Sequence, residues 1–167
     1  MVKNILCVPL DPVHDVGLKI IRNALLKKGH NVDLLMPDLP NEEIINFALK
    51  KKYDFILVSR TLGYGVYELL AKFIDLCDAA GIRDTAKLVI GGKPITPQLA
   101  AELGFDKGFS SSSSIEEIVS YIEGKEITSD INKYKKVKKD FISEHSYQFF
   151  NKEIEQALNI IADKFLN

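Results

Sequence analysis

The sequence predicts an α/β fold, a doubly wound five-stranded parallel sheet in the strand order 2-1-3-4-5. Two observations support this prediction. Apolar runs of strand length recur along the first 124 residues, and stretches with helical periodicity lie between them. Near-continuous apolar strands that alternate with amphipathic helices are typical of a parallel sheet that is covered on both faces. Right-handed crossover connections then favour the doubly wound arrangement.

The predicted strands and helices alternate as five β-α units. The strands are expected at residues 5–10, 32–36, 55–59, 88–92 and, more weakly, 104–110. The helices are expected at residues 17–29, 41–51, 66–80, 96–103 and 114–123. Leu18, Ile21 and Leu25 share one face of the first helix, as an amphipathic helix requires. Ser114 and Glu117 have the spacing of a capping box at the start of the fifth.

The last part of the chain differs in composition from the rest. The stretch KEITSDINKYKKVKKDF is polar and rich in lysine, which is typical of a solvated linker or helix face. An apolar stripe at helical spacing follows it: Phe150, Ile154, Leu158, Ile161 and Phe165. We therefore divide the chain into a domain at 1–124 and a C-terminal helical extension at 125–167. The stripe either packs on its own domain or forms a homodimer or partner contact.

Composition limits the classes of function. The 22 basic and 23 acidic residues leave a net charge of -1, so no overall field attracts nucleic acid or an anionic membrane. No apolar stretch approaches the roughly 18 to 20 residues that span a bilayer, and the first apolar run is too short for a signal peptide. We expect a cytoplasmic protein. Cys7 and Cys77 lack CxxC or zinc-ligand spacing, which predicts buried reduced thiols.

Three loops are expected to converge on one edge of the sheet. In this flavodoxin-like strand order the chain direction reverses between strands 1 and 3, and ligands bind in the crevice at the carboxyl ends of those strands. The loops after strands 1, 3 and 4 read DPVHDVG, SRTLGYG and GGKPITP. They are rich in glycine, proline and small polar residues, whereas the loops at the opposite edge are charged and ordinary. The sequence therefore predicts a ligand site between the three loops.

His14 is the distinctive residue of these loops. The first loop lacks the GxGxxG pattern of a dinucleotide site, and no G-x-S-x-G elbow surrounds Ser59 as in a catalytic triad. Neutral imidazole is the commonest protein ligand for metals, but one imidazole holds a bare ion poorly. A single axial ligand suits a metal whose other positions are filled by a macrocycle. The alternative is that His14 is an ordinary surface histidine.

The motifs HDVG, ILVSRTLGYG and LVIGGKP occur in this order on strands 1, 3 and 4. Together they resemble the cobalamin (B12)-binding domain, whose signature is DxHxxG, then SxL, then GG. The resemblance covers roughly residues 3–124. It is strongest to the small subunit of glutamate mutase and related adenosylcobalamin-dependent mutases.

The resemblance implies specific roles for residues of the three loops. His14 would replace the cofactor's own dimethylbenzimidazole as the lower ligand of cobalt, and Gly17 would leave room for the displaced nucleotide tail. Ser59 would face the benzimidazole, while Gly91 and Gly92 would open the wall of the tail's slot. The further cofactor contacts that we expect are Asp11, Pro12, Val13, Asp15, Val16, Thr61, Leu62, Gly63 and Ser110.

Other residues near these loops have two readings each. Asp15, Arg60 and Tyr64 either contact the corrin amides or a partner, or are simply solvated. The serine run at 110–114 either hydrogen-bonds the nucleotide tail or, at Ser114, only caps the fifth helix.

The first two motifs depart from the family signature. The family's aspartate, which hydrogen-bonds the other ring nitrogen of the histidine, is replaced here by Pro12, and the acid lies one residue earlier, at Asp11. Asp11 and Asp15 are both candidates to take over that hydrogen bond, which orients the ligand and raises its basicity. The leucine of SxL is replaced by Thr61, with Leu62 beside it.

By resemblance, the chain is the cobalamin-binding small subunit of a mutase and is not active alone. A large catalytic subunit, a TIM barrel, would bind the substrate of a radical 1,2-rearrangement. The alternative is a corrinoid methyl-carrier protein, which would hold methylcobalamin. Such carriers usually have a helical bundle before this domain, whereas strand 1 here begins within a few residues of Met1, which favours the mutase. A third possibility is a non-catalytic cobalamin-binding or interaction module.

Overall fold

The computed structural model describes residues 1–125 and confirms the predicted fold. Five parallel strands form one sheet in the order β2-β1-β3-β4-β5. The strands are β1 (Asn4–Pro9), β2 (Asn31–Leu34), β3 (Phe55–Ser59), β4 (Lys87–Gly91) and β5 (Lys107–Phe109). The helices between and after them are α1 (Val16–Lys27), α2 (Asn41–Ala48), α3 (Val66–Ala79), α4 (Pro97–Leu103) and α5 (Ile115–Ile122). A short 3-10 helix, Ile82–Asp84, precedes β4.

The helices cover both faces of the sheet. Alternate residues of a strand point to opposite faces, so Leu6 and Val8 of β1 pack in the layer of α2, α3 and α4. Ile5 and Cys7 pack in the layer of α1 and α5. Each face of the sheet therefore has its own buried apolar core, as doubly wound packing requires.

Both cysteines are buried and free, as predicted. Burial raises the pKa of the Cys7 thiol, and that of the Cys77 thiol, to about 12. Both side chains are therefore neutral near pH 7, and each contributes to one of the two cores as a small apolar group.

The fifth strand is shorter than the predicted 104–110. Helix α4 ends at Leu103, and Gly104 follows in the left-handed region with φ 90°. Phe105 then fills the core, and the Asp106 carboxylate accepts a hydrogen bond of 2.8 Å from the backbone N–H of Leu88. Residues 104–106, which were predicted as strand, therefore form a connection. The side chains of Phe105 and Asp106 bind this connection to the rest of the domain.

The carboxyl ends of the parallel strands lie at one edge of the sheet, which we call the carboxyl rim. Pro9, Ser59, Gly91 and Phe109 are the last residues of β1, β3, β4 and β5. The registers pair Pro9 with Ser59, Ser59 with Gly91, and Gly91 with Phe109. These four residues therefore lie in one row across the sheet, and the loops that follow them are neighbours.

Within residues 1–125, no helix combines the length and the apolar character that a membrane span needs. The predicted helical extension at 125–167, with its homodimer or partner contact, lies beyond Lys125 and so outside the described residues. The division at residue 124 stays a prediction.

Candidate functional site

A cavity of about 250 Å³ opens at the carboxyl rim, between the sheet and the layer of α1 and α5. Apolar side chains form its walls: Leu18 and Ile21 of α1, Ile118 of α5, and Leu57, Val58, Val89 and Phe109 of the strands. Its remaining lining residues are His14, Val16, Gly17, Ser59, Thr61, Gly91, Gly92 and Ser110. The space between the first helix and the strands is therefore open to a ligand.

His14 lies at this cavity with its side chain exposed. It follows β1 by five residues and precedes α1 by two, so the strand and the helix fix both ends of its loop. In the part of the chain that the structure describes, no group of three or more His, Cys, Asp or Glu side chains could hold a metal ion. A lone imidazole beside an apolar-walled cavity suits a metal whose other ligand positions are filled by a macrocycle.

Two glycines of the cavity have different surroundings. A Cβ added to Gly17 would meet no atom within 4 Å, so the open space extends to the first turn of α1. A Cβ added to Gly92 would lie 1.9 Å from the carbonyl oxygen of Arg60, and Gly92 has φ 139°. Gly92 is therefore required by the close approach of two loops, a packing reason that the sequence did not reveal.

Asp11 and Arg60 form a buried ion pair beneath the loops, 3.4 Å apart. The Asp11 carboxylate also accepts hydrogen bonds from the backbone N–H groups of Thr61, at 2.7 Å, and Leu62, at 3.2 Å. The Arg60 guanidinium donates to the carbonyl oxygens of Leu10, at 2.8 Å, and Tyr64, at 3.0 Å. These contacts join the loop after β1 to the loop after β3.

Of the two alternatives for Arg60, a contact with the corrin or a partner and simple solvation, solvation is wrong, because the residue is only 3% exposed. The sequence placed Arg60 directly after one buried strand and Asp11 shortly after its neighbour. Adjacent strand ends with opposite charges could have indicated the pair. Tyr64 is exposed, and its ring lies 5.3 Å from the guanidinium carbon.

The acids near His14 are occupied by other partners. Asp11 is 2% exposed and is held by Arg60 and the β3 loop, as described above. Asp15 pairs with Lys19 of α1 at 2.8 Å. Within residues 1–125, neither acid makes a hydrogen bond to the imidazole of His14, so the family's aspartate has no substitute in this conformation.

Eight of the fourteen predicted site residues line the cavity. They are His14, Val16, Gly17, Ser59, Thr61, Gly91, Gly92 and Ser110. The other six belong to the same two loops but do not line it: Asp11, Pro12, Val13, Asp15, Leu62 and Gly63. The apolar wall residues were missed because buried leucine, isoleucine and valine look the same in a sequence whether they face a cavity or a packed core.

The serine run has local roles that the structure defines. Ser114 caps α5 by accepting a hydrogen bond of 3.1 Å from the backbone N–H of Glu117, whose carboxylate accepts one of 2.8 Å from the Ser114 N–H. Ser110 lines the cavity, and its hydroxyl lies 2.7 Å from that of Ser112. Of the run, Ser110 is thus placed to reach a ligand and Ser114 is a helix cap.

Comparison with known proteins gives several relatives. The lysine 5,6-aminomutase beta subunit of Fusobacterium nucleatum is 32% identical over 131 residues, which cover 72% of this chain and 50% of the relative. The glutamate mutase sigma subunit of the same organism is 35% identical, covering 64% of this chain and 82% of the relative. The dimethylamine corrinoid protein of Methanosarcina barkeri is 31% identical, covering 56% of this chain and 44% of the relative.

The chain thus spans about half the length of the lysine 5,6-aminomutase subunit that it matches. A family model described as the B12 binding domain matches residues 3–120. This range contains all five strands, the three loops of the carboxyl rim and every residue that lines the cavity. The chain belongs to the B12-binding domain family.

Proposed function

We propose that this chain is the cobalamin-carrying subunit of an adenosylcobalamin-dependent mutase. The observation that carries the proposal is the exposed imidazole of His14 at the mouth of an open, apolar-walled cavity. The relatives include the glutamate mutase sigma subunit, of which the match covers 82%. The cofactor would supply a cobalt–carbon bond for radical chemistry, and this chain would position it.

His14 would hold the cofactor by donating a ring nitrogen lone pair to cobalt. The neutral form of the imidazole is the ligand, and metal binding competes with its protonation. The loop is fixed at both ends by β1 and α1, so the ring is presented on a rigid support. Preorganisation of this kind reduces the entropy lost on binding.

The cavity would receive the nucleotide tail of the cofactor. Leu18, Ile118 and Phe109 offer apolar contact area, which contributes roughly 25 cal/mol for each Å² removed from water. Ser59 and Ser110 place hydroxyl groups in the same lining, where they can hydrogen-bond polar atoms of the tail. The chain would thus bind the cofactor at two points, its metal and its tail.

The substrate would be bound by another chain. Among the described residues that line the cavity, His14 alone carries an ionisable side chain, and it is assigned to cobalt. Val13, Val16 and Tyr64 are exposed at the carboxyl rim, Val16 as the first residue of α1, and offer apolar surface to a partner. A large catalytic subunit, which we expect to be a TIM barrel, would cover this surface and supply the groups that act on substrate.

A corrinoid methyl carrier is the second candidate. The match to the dimethylamine corrinoid protein, at 31% identity over 94 residues, favours it specifically. The same imidazole and cavity would serve methylcobalamin, because the lower ligand and the tail are common to both cofactor forms. The two functions differ in the partner that approaches the upper face.

Binding of cobalamin tests the proposal. Adenosylcobalamin and methylcobalamin are each titrated into the full chain, and the visible spectrum is followed. We expect saturable binding that His14→Ala weakens at least about 10-fold, since even the partners of metal ligands have effects of that size. Asn23→Ala, an exposed change on α1, is the control and should bind like the wild type.

The loaded chain is then mixed separately with the large subunit of a cobalamin-dependent mutase and with a corrinoid methyltransferase, chosen from the genes that neighbour the gene of this chain. Substrate rearrangement with the former supports the mutase role. Methyl exchange with the latter would replace it by the carrier role. Failure to bind either cobalamin at tens of micromolar would overturn both.

A further inference from the structure

We propose that Arg60 and Asp11 are positioning residues that hold the His14 loop in its cobalt-binding geometry. The proposal rests on the cobalamin-binding function. It concerns a buried polar cluster, which we call the Arg60 clamp: Arg60, Asp11 and the backbone groups of Leu10, Thr61, Leu62 and Tyr64 that they contact.

The clamp lies where all three loops of the carboxyl rim meet. The Arg60 guanidinium bridges the carbonyl oxygens of Leu10 and Tyr64, in the loops after β1 and β3. The backbone N–H of Arg60 donates to the carbonyl oxygen of Gly91 at 3.0 Å, and Gly92 packs against the Arg60 carbonyl. One residue therefore contacts the loops after β1, β3 and β4.

Asp11 completes the connection from the other side. Its two carboxylate oxygens accept hydrogen bonds from Thr61, Leu62 and Arg60, and the side chain is fully buried. Charge-assisted hydrogen bonds in a low-dielectric site are stronger than neutral ones. Loss of either charged partner would leave the other buried and uncompensated. The clamp is therefore a fixed point for the loop that carries His14 three residues later.

The composition of the clamp argues for positioning rather than for stability alone. The Nε of Arg60 is buried and has no hydrogen-bond partner within residues 1–125. An unsatisfied buried donor costs free energy and calls for a physical reason. Well-packed apolar residues often replace a buried ion pair with no loss of stability. The forked guanidinium, which spans two carbonyl groups on different loops, supplies a geometry that an apolar side chain lacks.

Pro12 explains why Asp11 contacts Arg60 and the loop after β3 instead of the His14 ring. In the family signature the acid two residues before the histidine orients the ring directly, whereas here Pro12 fills that position and the acid is at Asp11. Asp11 is directed at Arg60 and the β3 loop. In this chain the carboxylate would thus orient the loop, and the loop would orient the imidazole.

Substitutions in the clamp test this role. Asp11→Asn, Arg60→Met and Arg60→Lys are compared with Arg83→Met, which breaks the Asp78–Arg83 ion pair, 3.4 Å long, before β4 and away from the carboxyl rim. We expect Asp11→Asn and Arg60→Met to weaken cobalamin binding about 10-fold or more, as loss of a ligand-orienting group does. Arg60→Lys should lose nearly as much, because the compact ammonium lacks the rigid planar fork with which the guanidinium spans two carbonyl groups and the Asp11 carboxylate. Arg83→Met should bind normally.

The readout separates positioning from folding. Affinities are measured at a temperature where circular dichroism shows each variant folded, and the Co(II) electron paramagnetic resonance spectrum is recorded for each complex. A weakened or heterogeneous nitrogen coupling from His14 in the clamp variants supports the proposal. Affinities within twofold of wild type and unchanged coupling would overturn it, even if the melting temperatures fall.

Tyr64→Ala is the milder variant for the case that the others do not fold. It removes the exposed ring that lies 5.3 Å from the Arg60 guanidinium and leaves the ion pair in place. We expect it to broaden the nitrogen coupling of His14, a readout that loss of a direct contact between the Tyr64 ring and the corrin would not change, and unchanged coupling would overturn the clamp. If wild type itself binds no cobalamin, the proposed function fails, whereas binding by wild type with unaffected clamp variants defeats this inference alone.

Discussion

Gly17 and Gly92 both lie at the cavity, but they are glycine for different physical reasons. Gly17 is the second residue of α1 and has open space around it, so a larger side chain would fit the apo fold. Gly92 has a positive φ and touches the backbone of Arg60. The family resemblance implied a place in the cofactor site for both, and the structure shows that Gly92 is also required for the fold.

Alanine substitutions are expected to separate the two glycines. Gly17→Ala should stabilise the unliganded domain by up to about 1 kcal/mol, because alanine has the higher helix propensity. Gly92→Ala should destabilise it, since its Cβ would overlap a carbonyl oxygen and its φ is unfavourable. Urea unfolding of both variants measures these effects. Destabilisation by Gly17→Ala would show that the space beside α1 is not open.

The same Gly17→Ala protein is expected to bind cobalamin less tightly, because the added methyl group occupies cavity volume. Opposite changes in stability and affinity would identify Gly17 as a residue kept for the ligand. A gain in affinity would contradict the placement of the tail beside Gly17.

The position of His14 beside the carboxyl rim was predicted from the sequence, whereas the burial of Arg60 was not. A histidine between glycine-bearing loops on adjacent strands is a local pattern that sequence reveals. The burial of Arg60 depends on the distance between two loops that lie about 50 residues apart in the chain. Tertiary packing determines that distance, and the periodicity of apolar residues in the sequence does not predict it.

At the scale of strands and helices, the order of elements followed from apolar periodicity, and only their ends differed. Helix α2 ends at Ala48 rather than at 51, and β5 covers only Lys107–Phe109. Such ends depend on capping and on where a loop side chain finds a partner. The start of α5 was predicted correctly because the capping box, Ser114 with Glu117, is a local motif that can be recognised in the sequence.

Removal of this cap is expected to destabilise the domain. Ser114→Ala deletes the hydroxyl that accepts from Glu117 N–H, which typically costs about 1 kcal/mol. The melting temperature should fall by a few degrees, by the usual scaling for a domain of this size. Ser111→Ala, an exposed change in the same run, is the control. Equal melting temperatures for the two variants would contradict the assigned cap.

At the scale of the whole molecule, the feature that allows ligand binding is a cavity on one face of the sheet. The layer of α2, α3 and α4 packs a continuous core, while the layer of α1 and α5 leaves the cavity at the carboxyl rim. Periodicity shows which face of each helix is apolar, but it carries no information on whether two apolar faces meet. The family resemblance therefore predicted a slot that the sequence pattern alone did not.

The fold is the one expected for the B12-binding domain family. The mutase role, by contrast, is a proposal about the catalytic subunit with which this chain assembles. The chain offers an imidazole, a cavity and an exposed apolar loop surface, while the reaction would depend on the protein that covers them. Both proposed functions, the mutase subunit and the methyl carrier, require that His14 binds cobalt.

The nitrogen coupling of the Co(II) complex tests that requirement most directly. The protein is prepared with ¹⁵N-labelled histidine, loaded with unlabelled cobalamin and reduced to the Co(II) state. Ligation by His14 predicts a doublet splitting of each cobalt line, because ¹⁵N has spin one half, and loss of that doublet in His14→Ala. A triplet from the cofactor's own ¹⁴N benzimidazole, or no nitrogen splitting, would contradict the account.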